Sequence, residues 1–448
     1  MNCGFSRICI NPPVGFPIAG GYRAKYSLGI GDDLFARATA FSNGEEKALI
    51  IAVDVCYMSD EMNDEARTRI SASCGIDRDA IIITSSHTHQ GPVVGPRMWE
   101  PEVSVEWYER ELVDKICEVA EAAFSDLHPA KLFSATGEAK DVSYIRRYIM
   151  KDGSVVTNPG FYNPEIDHPI GEPDDRVGLL KIVREGANDV YIVNFGTHPC
   201  NVGGWHISAD YPGVICSALE GAIGGVDCMF ILSVAGDTSY CYKNYSPTKE
   251  EWINRQADVD SGGLTLCRAK RIGYAIAGEV LKICMLAKEI KADGISFAMR
   301  DVFLPANKDG ESYEEAVKIT ELHKAGRASE LPYKDMALTT VIANASRVIR
   351  MREYPDFLPY KMFALRIGDF FLAGLPGEPF TEIGRRIFDA SPYPCTMIST
   401  ITNAASLYIP TSEAFRQGGY ETATSNIGMG SDDVLVNNMI ELMKELNS

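Results

Sequence analysis

The sequence lacks features that mark several common protein classes. No stretch of its 448 residues reaches the roughly 18 uninterrupted apolar residues that span a bilayer, so no integral membrane segment is expected. Basic residues are also in short supply, because 43 Lys and Arg stand against 61 Asp and Glu, for a net charge of −18. Nucleic acid needs a cationic surface to displace its counterions, and we therefore exclude it as a partner.

Paired cysteines and an export signal are missing as well. The twelve cysteines are scattered without a CxxC pair, and most lie within apolar segments. The N-terminus does not show a basic start followed by the apolar block of a secretion signal. We therefore expect reduced, buried thiols and a cytoplasmic location, and zinc held by cysteine pairs is not supported.

The sequence does contain β-branched apolar runs that alternate with stretches of helical period. This alternation predicts an α/β fold with mixed β-sheets flanked by helices, and no stretch resembles a boundary, so one domain over 1–448 is expected. Gly368 and Asp369 between two apolar runs predict a hairpin over 361–375. The predicted strands are 46–55, 79–86, 130–139, 190–197, 228–236 and 295–304; the predicted helices are about 60–73, 104–126, 264–290, 311–326, 380–390 and 432–446.

Histidine is scarce, with seven residues, yet four of them fall in two short segments. TSSHTHQGP contains His87 and His89, and GTHPCNVGGWHISADYPG contains His198 and His206. Each segment begins where a predicted strand ends, which is where α/β sheets usually place ligand sites. On an extended chain His87 and His89 would project to the same face. Because imidazole is the commonest metal ligand near neutral pH, we predict a metal site; the alternative is histidines that only bond to backbone.

A third ligand is needed, since a catalytic zinc usually takes three protein ligands and keeps one position for water. Glu378, in GLPGEPFTEIGRR, follows the apolar run FFLAGL within a turn fixed by proline and glycine. It is our candidate, against the competing interpretation of a solvent-facing glutamate at a helix start. Cys200, two residues after His198, is a competing ligand in what resembles a loop that leaves the site.

Several motifs, in order, resemble those of the neutral/alkaline (non-lysosomal) ceramidases: TSSHTHQGP, GTHPCNVGGWHISADYPG, VAGDTSY, GLPGEPFTEIGRR and NAASLYIPTSEAFRQGGYE. The resemblance covers about residue 15 to the end and implies the catalytic-domain fold of that family. It also implies one zinc per chain, bound by two His, a Glu and a Tyr, and cleavage of an N-acyl amide bond. Carried over by motif, the implied ligands are His87, His198, Glu378 and Tyr408.

The resemblance implies further roles around the metal. Ser239 is the implied active-site serine, with Asp237 before it, and His89 is expected to contact the substrate or the intermediate. Arg146 or Arg147, in RRY, is expected near the substrate carbonyl. Metal-activated water is favoured as the nucleophile, because no base stands at a readable spacing from Ser239; the alternative is that Ser239 attacks or donates to the oxyanion.

Two carboxylates are expected to support the site from outside it. Asp210, in SADYPG, is predicted as a helix N-cap or as a partner behind the ligands, and Asp54 at the end of LIIAVDV as a similar partner. His206 stays open between a site role and a structural one.

Departures from the ceramidases bear on the substrate. An export signal and a C-terminal β-sandwich domain are usual in that family and are not expected here. Tyr240-Cys241 follow GDTS where the family tends to have Pro-Asn, and Ala405 stands where an aromatic is frequent. We therefore expect a zinc amidohydrolase for a small-molecule N-acyl substrate, smaller and more polar than the ceramide of sphingolipid metabolism. The alternatives are a zinc esterase or lactonase, and a non-catalytic metal- or ligand-binding relative; the oligomeric state is not predicted.

Overall fold

The structure of the protein is a computed structural model that describes residues 1–21, 24–95, 97, 99, 101–160, 163–240, 266–404 and 407–447. Cys241 and Ala405, which separate this sequence from the ceramidases, lie outside the described residues. So does the predicted start of the 264–290 helix.

Strands make up most of the framework. They are β1 (Asn2–Cys9), β2 (Gly29–Ile30), β3 (Phe35–Ser42), β4 (Lys47–Val53), β5 (Ile81–Ser85), β6 (His128–Glu138), β7 (Tyr144–Ile145), β8 (Arg147–Met150), β9 (Val155–Thr157), β10 (Ile166–Pro169), β11 (Arg176–Arg184), β12 (Asp189–Phe195), β13 (His206–Ile207), β14 (Val226–Leu232), β15 (Thr238–Ser239), β16 (Lys288–Ile290), β17 (Ile295–Pro305), β18 (Phe357–Ile367), β19 (Phe370–Gly374), β20 (Glu378–Pro379), β21 (Cys395–Ser399) and β22 (Tyr408–Ile409).

Helices lie between and after these strands. They are α1 (Asp60–Cys74), α2 (Glu106–Ser125), α3 (Asp210–Ala222), α4 (Cys267–Ile283), α5 (Tyr313–Lys324), α6 (Asp335–Met351), α7 (Thr381–Ala390), α8 (Ser412–Gln417), α9 (Tyr420–Thr424) and α10 (Ser431–Leu446). Within the described part of the chain, none of them has both the length and the apolar character needed to cross a membrane.

Two mixed sheets form the centre of the fold. The larger has nine strands, in the order β14-β12-β11-β6-β1-β3-β4-β5, with β16 also paired to β6. The smaller has four, in the order β17-β18-β19-β21. Both sheets combine antiparallel and parallel pairs. The parallel pairs are β4 with β5 and β12 with β14 in the larger sheet, and β19 with β21 in the smaller. The predicted α/β class with mixed, helix-flanked sheets is confirmed.

The sheets pack face to face and helices cover their outer faces. In β4, Leu49, Ile51 and Val53 join the cluster that includes α1 and α2, while Ala48 and Ile50 join the cluster between the two sheets. Alternating side chains of one strand thus meet two different layers, which explains its near-continuous apolar run. On the far side of the smaller sheet, α7 and α10 cover a further cluster.

The 399–403 segment ties the second sheet to the edge of β5. The Asn403 side chain accepts a hydrogen bond from Ile83 N at 2.8 Å and donates to Ile81 O at 3.1 Å, and Asn403 N donates to Ile83 O. Thr84 Oγ1 also donates to Thr400 O at 2.9 Å. This segment therefore fixes the edge of the larger sheet, close to the site described below.

The strand and helix predictions agree with the structure at most positions, but one is wrong. The helix predicted over 264–290 ends at Ile283, and Lys288–Ile290 forms β16 against β6. The hairpin over 361–375 is present as β18 and β19. Elements such as β1, β3, β11, α3 and α6 were not predicted. The single-domain interpretation stays a prediction.

Candidate metal centre

His87 and His89 leave the end of β5 through a tight turn. Ser86 N donates to Val53 O, and His87 N donates to Val55 O at 3.0 Å. His87 has a φ of 63°, in the left-handed region, so the chain is not extended there. The prediction that an extended HTH segment aligns the two imidazoles is wrong, although the turn still brings the two rings together.

His198 follows the end of β12 in a loop that Asp210 fixes. The Asp210 carboxylate accepts hydrogen bonds from Asn201 N at 2.7 Å and from Asn201 Nδ2 at 3.1 Å. Asn201 Nδ2 in turn donates to His198 O. The N-cap of α3 is Ala209, with Asp210 as the first helical residue. Asp210 is therefore not the N-cap residue, but its carboxylate orders the histidine loop and also accepts from Tyr211 N in the first turn of α3 at 2.6 Å.

Glu378 comes from the second sheet, after the end of β19. It lies on β20, which pairs in parallel with β22 and sets Glu378 opposite Tyr408. Gly236 passes so close that an added Cβ would lie 2.2 Å from Glu378 O. The glycine is therefore required where the loop after β14 crosses behind Glu378.

These elements bring the histidines and Glu378 into one cluster. The ring centroids of His87, His89 and His198 lie 4.8–4.9 Å apart. His89 Nε2 lies 3.4 Å from His87 Nε2 and 3.2 Å from His198 Nε2, and Glu378 Oε2 lies 3.2 Å from His87 Nε2. A tetrahedral ion with bonds of about 2.0–2.1 Å separates its ligand atoms by about 3.3 Å, and the distance between His87 and Glu378 matches that value. His198 Nδ1 lies 3.8 Å from Glu378 Oε2.

The donor atoms also have the character that a metal ion requires. His87, His198 and Glu378 form a buried group that could hold an ion, with one ligand atom of each within 4.8 Å of the others. Glu378 Oε2 is buried and accepts no hydrogen bond from any described residue. His87 Nδ1 lies 2.8 Å from Cys56 O, so a proton on Nδ1 leaves the Nε2 lone pair facing the cluster. A divalent ion would bind this carboxylate oxygen, which has a histidine ring within ion-pair distance but no hydrogen bond from the described residues.

The three histidines differ in how readily each one is protonated when no metal is bound. Burial, with His87 adding to it, lowers the pKa of His89 to about 3. Burial and the positive charge of Arg146 lower the pKa of His198 well below its usual value. Although burial opposes it, Cys56 and Glu378 raise the pKa of His87. Without a metal, the cluster therefore carries its proton on His87 beside Glu378, and a bound ion would replace that proton.

Of the remaining predicted ligands, Tyr408 lies beside the cluster. It is buried, and its ring centroid is 6.3 Å from that of His198. The Arg146 guanidinium lies 4.9 Å from the centroid of the Tyr408 ring and pairs with Glu421 at 2.7 Å. Arg146 is therefore the arginine of the RRY motif that lies next to the histidines. A second group of described residues that could hold an ion consists of Cys56, His87 and His89. Cys200, the competing ligand, belongs to neither group.

Arg147, Asp237 and Ser239 lie behind the cluster. Arg147 donates to Gly418 O at 2.7 Å and, with Asp237, lines a separate cavity. The Asp237 carboxylate accepts from Thr381 N and Oγ1 at 2.8 and 2.7 Å, and burial raises its pKa. Ser239 is buried on β15, paired with β7. None of the three is among the described residues that line the cavity at the histidines.

Asp54, predicted as a partner behind the ligands, and His206, whose role was left open, both lie in the framework around the site. Asp54 forms a buried ion pair with Arg37 at 2.8 Å and accepts from Phe35 N at 3.0 Å, so it fixes the end of β4. His206 lies on β13, paired with β2.

A narrow cavity of about 70 Å³ opens onto the cluster. His87, His89, Glu378 and Tyr408 line it together with side chains that the sequence reasoning missed. These further lining residues come mainly from loops and are mostly apolar or aromatic: Ala19, Gly20, Gly21, Cys56, Tyr57, Val93, Val94, Arg97, Trp99, Leu407, Tyr420 and Thr424.

The loop that contains Gly20 and Gly21 lines the cavity and carries a signal that is visible in the sequence. Its φ is 83°, and an added Cβ would lie 2.4 Å from the Cγ of His89. Gly20 O also lies 2.9 Å from His89 Nδ1. The pair of glycines at 20–21, in the middle of an apolar segment, indicates a close backbone approach of this kind.

Known proteins resemble the chain in sequence and in structure. No family model matches it. A neutral ceramidase of Mycobacterium tuberculosis (strain ATCC 25618 / H37Rv) is 23% identical over 481 residues, which cover 95% of this chain and 74% of that protein. The crystal structure of neutral ceramidase from Pseudomonas aeruginosa matches with a TM-score of 0.69 at 20% identity, over 99% of this chain and 74% of the other. A ceramidase in complex with C2 matches with a TM-score of 0.68 at 17% identity.

These similarities confirm the resemblance inferred from the motifs. The solved structures share the mixed α/β fold described above, and the sequence match extends over nearly the whole chain. The matched part is about three quarters of each relative, as expected for a match to the catalytic domain alone.

Proposed function

We propose that this chain, a relative of the neutral ceramidases in sequence and in fold, is a zinc-dependent hydrolase that cleaves an N-acyl amide bond. The observation that carries the proposal is the buried group of His87, His198 and Glu378 beside a narrow cavity. Two imidazoles and one carboxylate form a typical ligand set for catalytic zinc.

The proposed zinc ligands are His87, His198, Glu378 and Tyr408, with one ion per chain. Zinc bound there would polarise the amide carbonyl and lower the pKa of a water molecule toward about 7. Tyr408 is included because its strand register places it opposite Glu378. Arg146 contributes positive charge beside Tyr408, where it would also favour a developing oxyanion.

His89 is the proposed acid–base group. Its Nδ1 faces Gly20 O and its Nε2 faces the cluster, so proton exchange would take place at Nε2. From that position the neutral imidazole would accept a proton from attacking water and pass it to the leaving amine. Asp237 and Arg147 are proposed to position the loop that carries Ser239, since Asp237 ties that loop to Thr381 and both residues line the separate cavity beside it.

The proposed substrate is smaller and more polar than ceramide. The cavity volume of about 70 Å³ supports a short acyl group, since pockets that enclose drug-sized ligands are several times larger, about 300–1,000 Å³. A cytoplasmic location, which remains a prediction, agrees with a soluble substrate.

The test is to measure metal and turnover in one preparation. Elemental analysis of purified protein should give about one zinc per chain, and a chelator should remove zinc and activity together. Added zinc should restore activity on short N-acyl amides. Cleavage of esters or lactones, with no cleavage of amides, would favour the esterase or lactonase alternative. Bound zinc without turnover of any of these compounds would favour the non-catalytic alternative. Turnover of ceramide at rates equal to the short amides would overturn the proposed substrate.

Replacing His89 with alanine tests whether His89 acts in proton transfer while His87 and His198 bind the metal. We expect the variant to keep its zinc and to lose about 100- to 10,000-fold in kcat, as for removal of a general acid–base group. Zinc content and kcat are measured on the same sample. Loss of zinc in His89→Ala, with zinc retained in His198→Ala, would show that the two histidines have exchanged roles.

A further inference from the structure

The described lining of the cavity lacks the excess of acidic residues that gives the protein its net charge. The chain carries a net charge of −18. Among the described residues that line the cavity, however, the only acid is Glu378, a proposed zinc ligand, and the only Lys or Arg is Arg97. Once Glu378 binds a divalent ion, the described lining keeps no free negative charge and retains one guanidinium.

Arg97 is weakly engaged by the protein itself. Its nearest carboxylate oxygen, Glu106 Oε1, is 3.9 Å from Arg97 Nη2, and the Glu106 side chain is 57% exposed. An exposed ion pair of that length contributes little. No described residue accepts a hydrogen bond from the Arg97 guanidinium, and the Arg97 side chain is 23% exposed. Its donors are therefore available to a ligand in the cavity.

Lys25 adds a second positive charge near the histidines. Lys25 Nζ donates to Gln90 Oε1 at 3.0 Å, and Gln90 is the residue that follows His89. No described carboxylate lies within ion-pair distance of Lys25. Burial lowers the pKa of Lys25 to about 8, so it is mostly protonated at pH 7.

We infer that the substrate is an anionic N-acyl amine, namely an N-acyl amino acid whose carboxylate binds the Arg97 guanidinium. This inference rests on the proposed function and adds the class of leaving amine. The planar guanidinium fork matches a carboxylate in two parallel hydrogen bonds. The short acyl group would contact Val93, Val94 and Leu407, which line the same cavity. Lys25 and the metal ion would add to the positive potential that attracts the anion.

A matched substrate pair tests the inference on the zinc-loaded protein. N-hexanoylglycine and N-hexanoylglycinamide differ only in the carboxylate. We expect kcat/KM to be at least about 10-fold higher for the acid, with most of the difference in KM, as for loss of a hydrogen bond to a charged group. Arg97→Gln should lower kcat/KM for the acid by about 10- to 100-fold and remove most of the preference. Arg97→Lys should restore part of it.

Controls separate this inference from the proposed function. Arg327→Gln removes an exposed arginine that pairs with Glu330 outside the cavity, and it should leave the preference unchanged. Equal kcat/KM for the two compounds, or an unchanged preference in Arg97→Gln, would overturn the inference while the hydrolase stands. If neither compound is hydrolysed while other short N-acyl amides are, the inference is overturned and the proposed function stands. If no short N-acyl amide is hydrolysed, the proposed function fails, and calorimetric Kd values for the pair then test the contact between the carboxylate and Arg97. A lower Kd for the acid than for the amide, with the difference lost in Arg97→Gln, supports the inference. Equal Kd values for the two compounds overturn it.

Discussion

Replacing His87 with alanine is expected to remove the metal and to lower kcat/KM by about 1,000-fold or more, because metal polarisation of the carbonyl supplies several kcal/mol. His87 is the residue that joins the cluster, since its Nε2 lies 3.4 Å from His89 Nε2 and 3.2 Å from Glu378 Oε2. Its Nδ1 contact with Cys56 O holds the ring in that orientation. Zinc per chain and initial rates measured on one sample check the expectation.

His168→Ala is the matched control for this variant. His168 is 60% exposed and pairs with Asp167 on the surface, so both zinc content and activity should equal those of the parent protein. Full retention of zinc in His87→Ala would contradict the ligand assignment. Loss of activity with zinc retained would instead assign His87 a role in proton transfer.

Replacing Glu421 with glutamine is expected to lower the free energy of unfolding by about 3–5 kcal/mol, because it leaves buried cations without their counter-charge. Glu421 is fully buried between Arg146 and Arg147, at 2.7 and 3.6 Å from their Nε atoms. Thr157 Oγ1 also donates to Glu421 at 2.8 Å. Urea denaturation of the two proteins measures the difference.

An exposed glutamate on the preceding helix provides the comparison. Glu413 pairs with Arg416 at 2.9 Å on the surface, and Glu413→Gln should change the free energy of unfolding by less than about 1 kcal/mol. If Glu421→Gln were as mild as Glu413→Gln, the two buried arginines would not depend on Glu421 for their charge balance.

The local sequence predicted the strands that consist of β-branched apolar runs. The β-branched runs of β4, β5, β12 and β14 are buried on both faces, and such runs are visible without tertiary information. By contrast, β3 reads FARATAFS, and its alanines are buried because helices and a neighbouring strand surround them. Nothing in that octapeptide alone indicates a central strand.

The candidate site likewise contains residues that the sequence predicted and residues that only the structure located. Histidines at strand ends and a glutamate in a Pro/Gly turn are visible in the sequence, because the residue types and their positions carry the signal. Trp99 and Arg97 were missed because their place in the cavity depends on how loops fold over the sheet edge. Tyr408 could be placed only by resemblance, since its position opposite Glu378 depends on a pair of two-residue strands.

The pairing of Asn403 with β5 has a consequence for association between molecules. An outer strand with unpaired N–H and C=O groups is a template on which a foreign chain can add its own strand, as in domain swapping and fibril growth. On β5 those groups at Ile81 and Ile83 are already occupied by a side-chain amide and its backbone. The segment that ties the two sheets together thus also occupies backbone groups at one apolar edge of the larger sheet, where a foreign strand could otherwise pair.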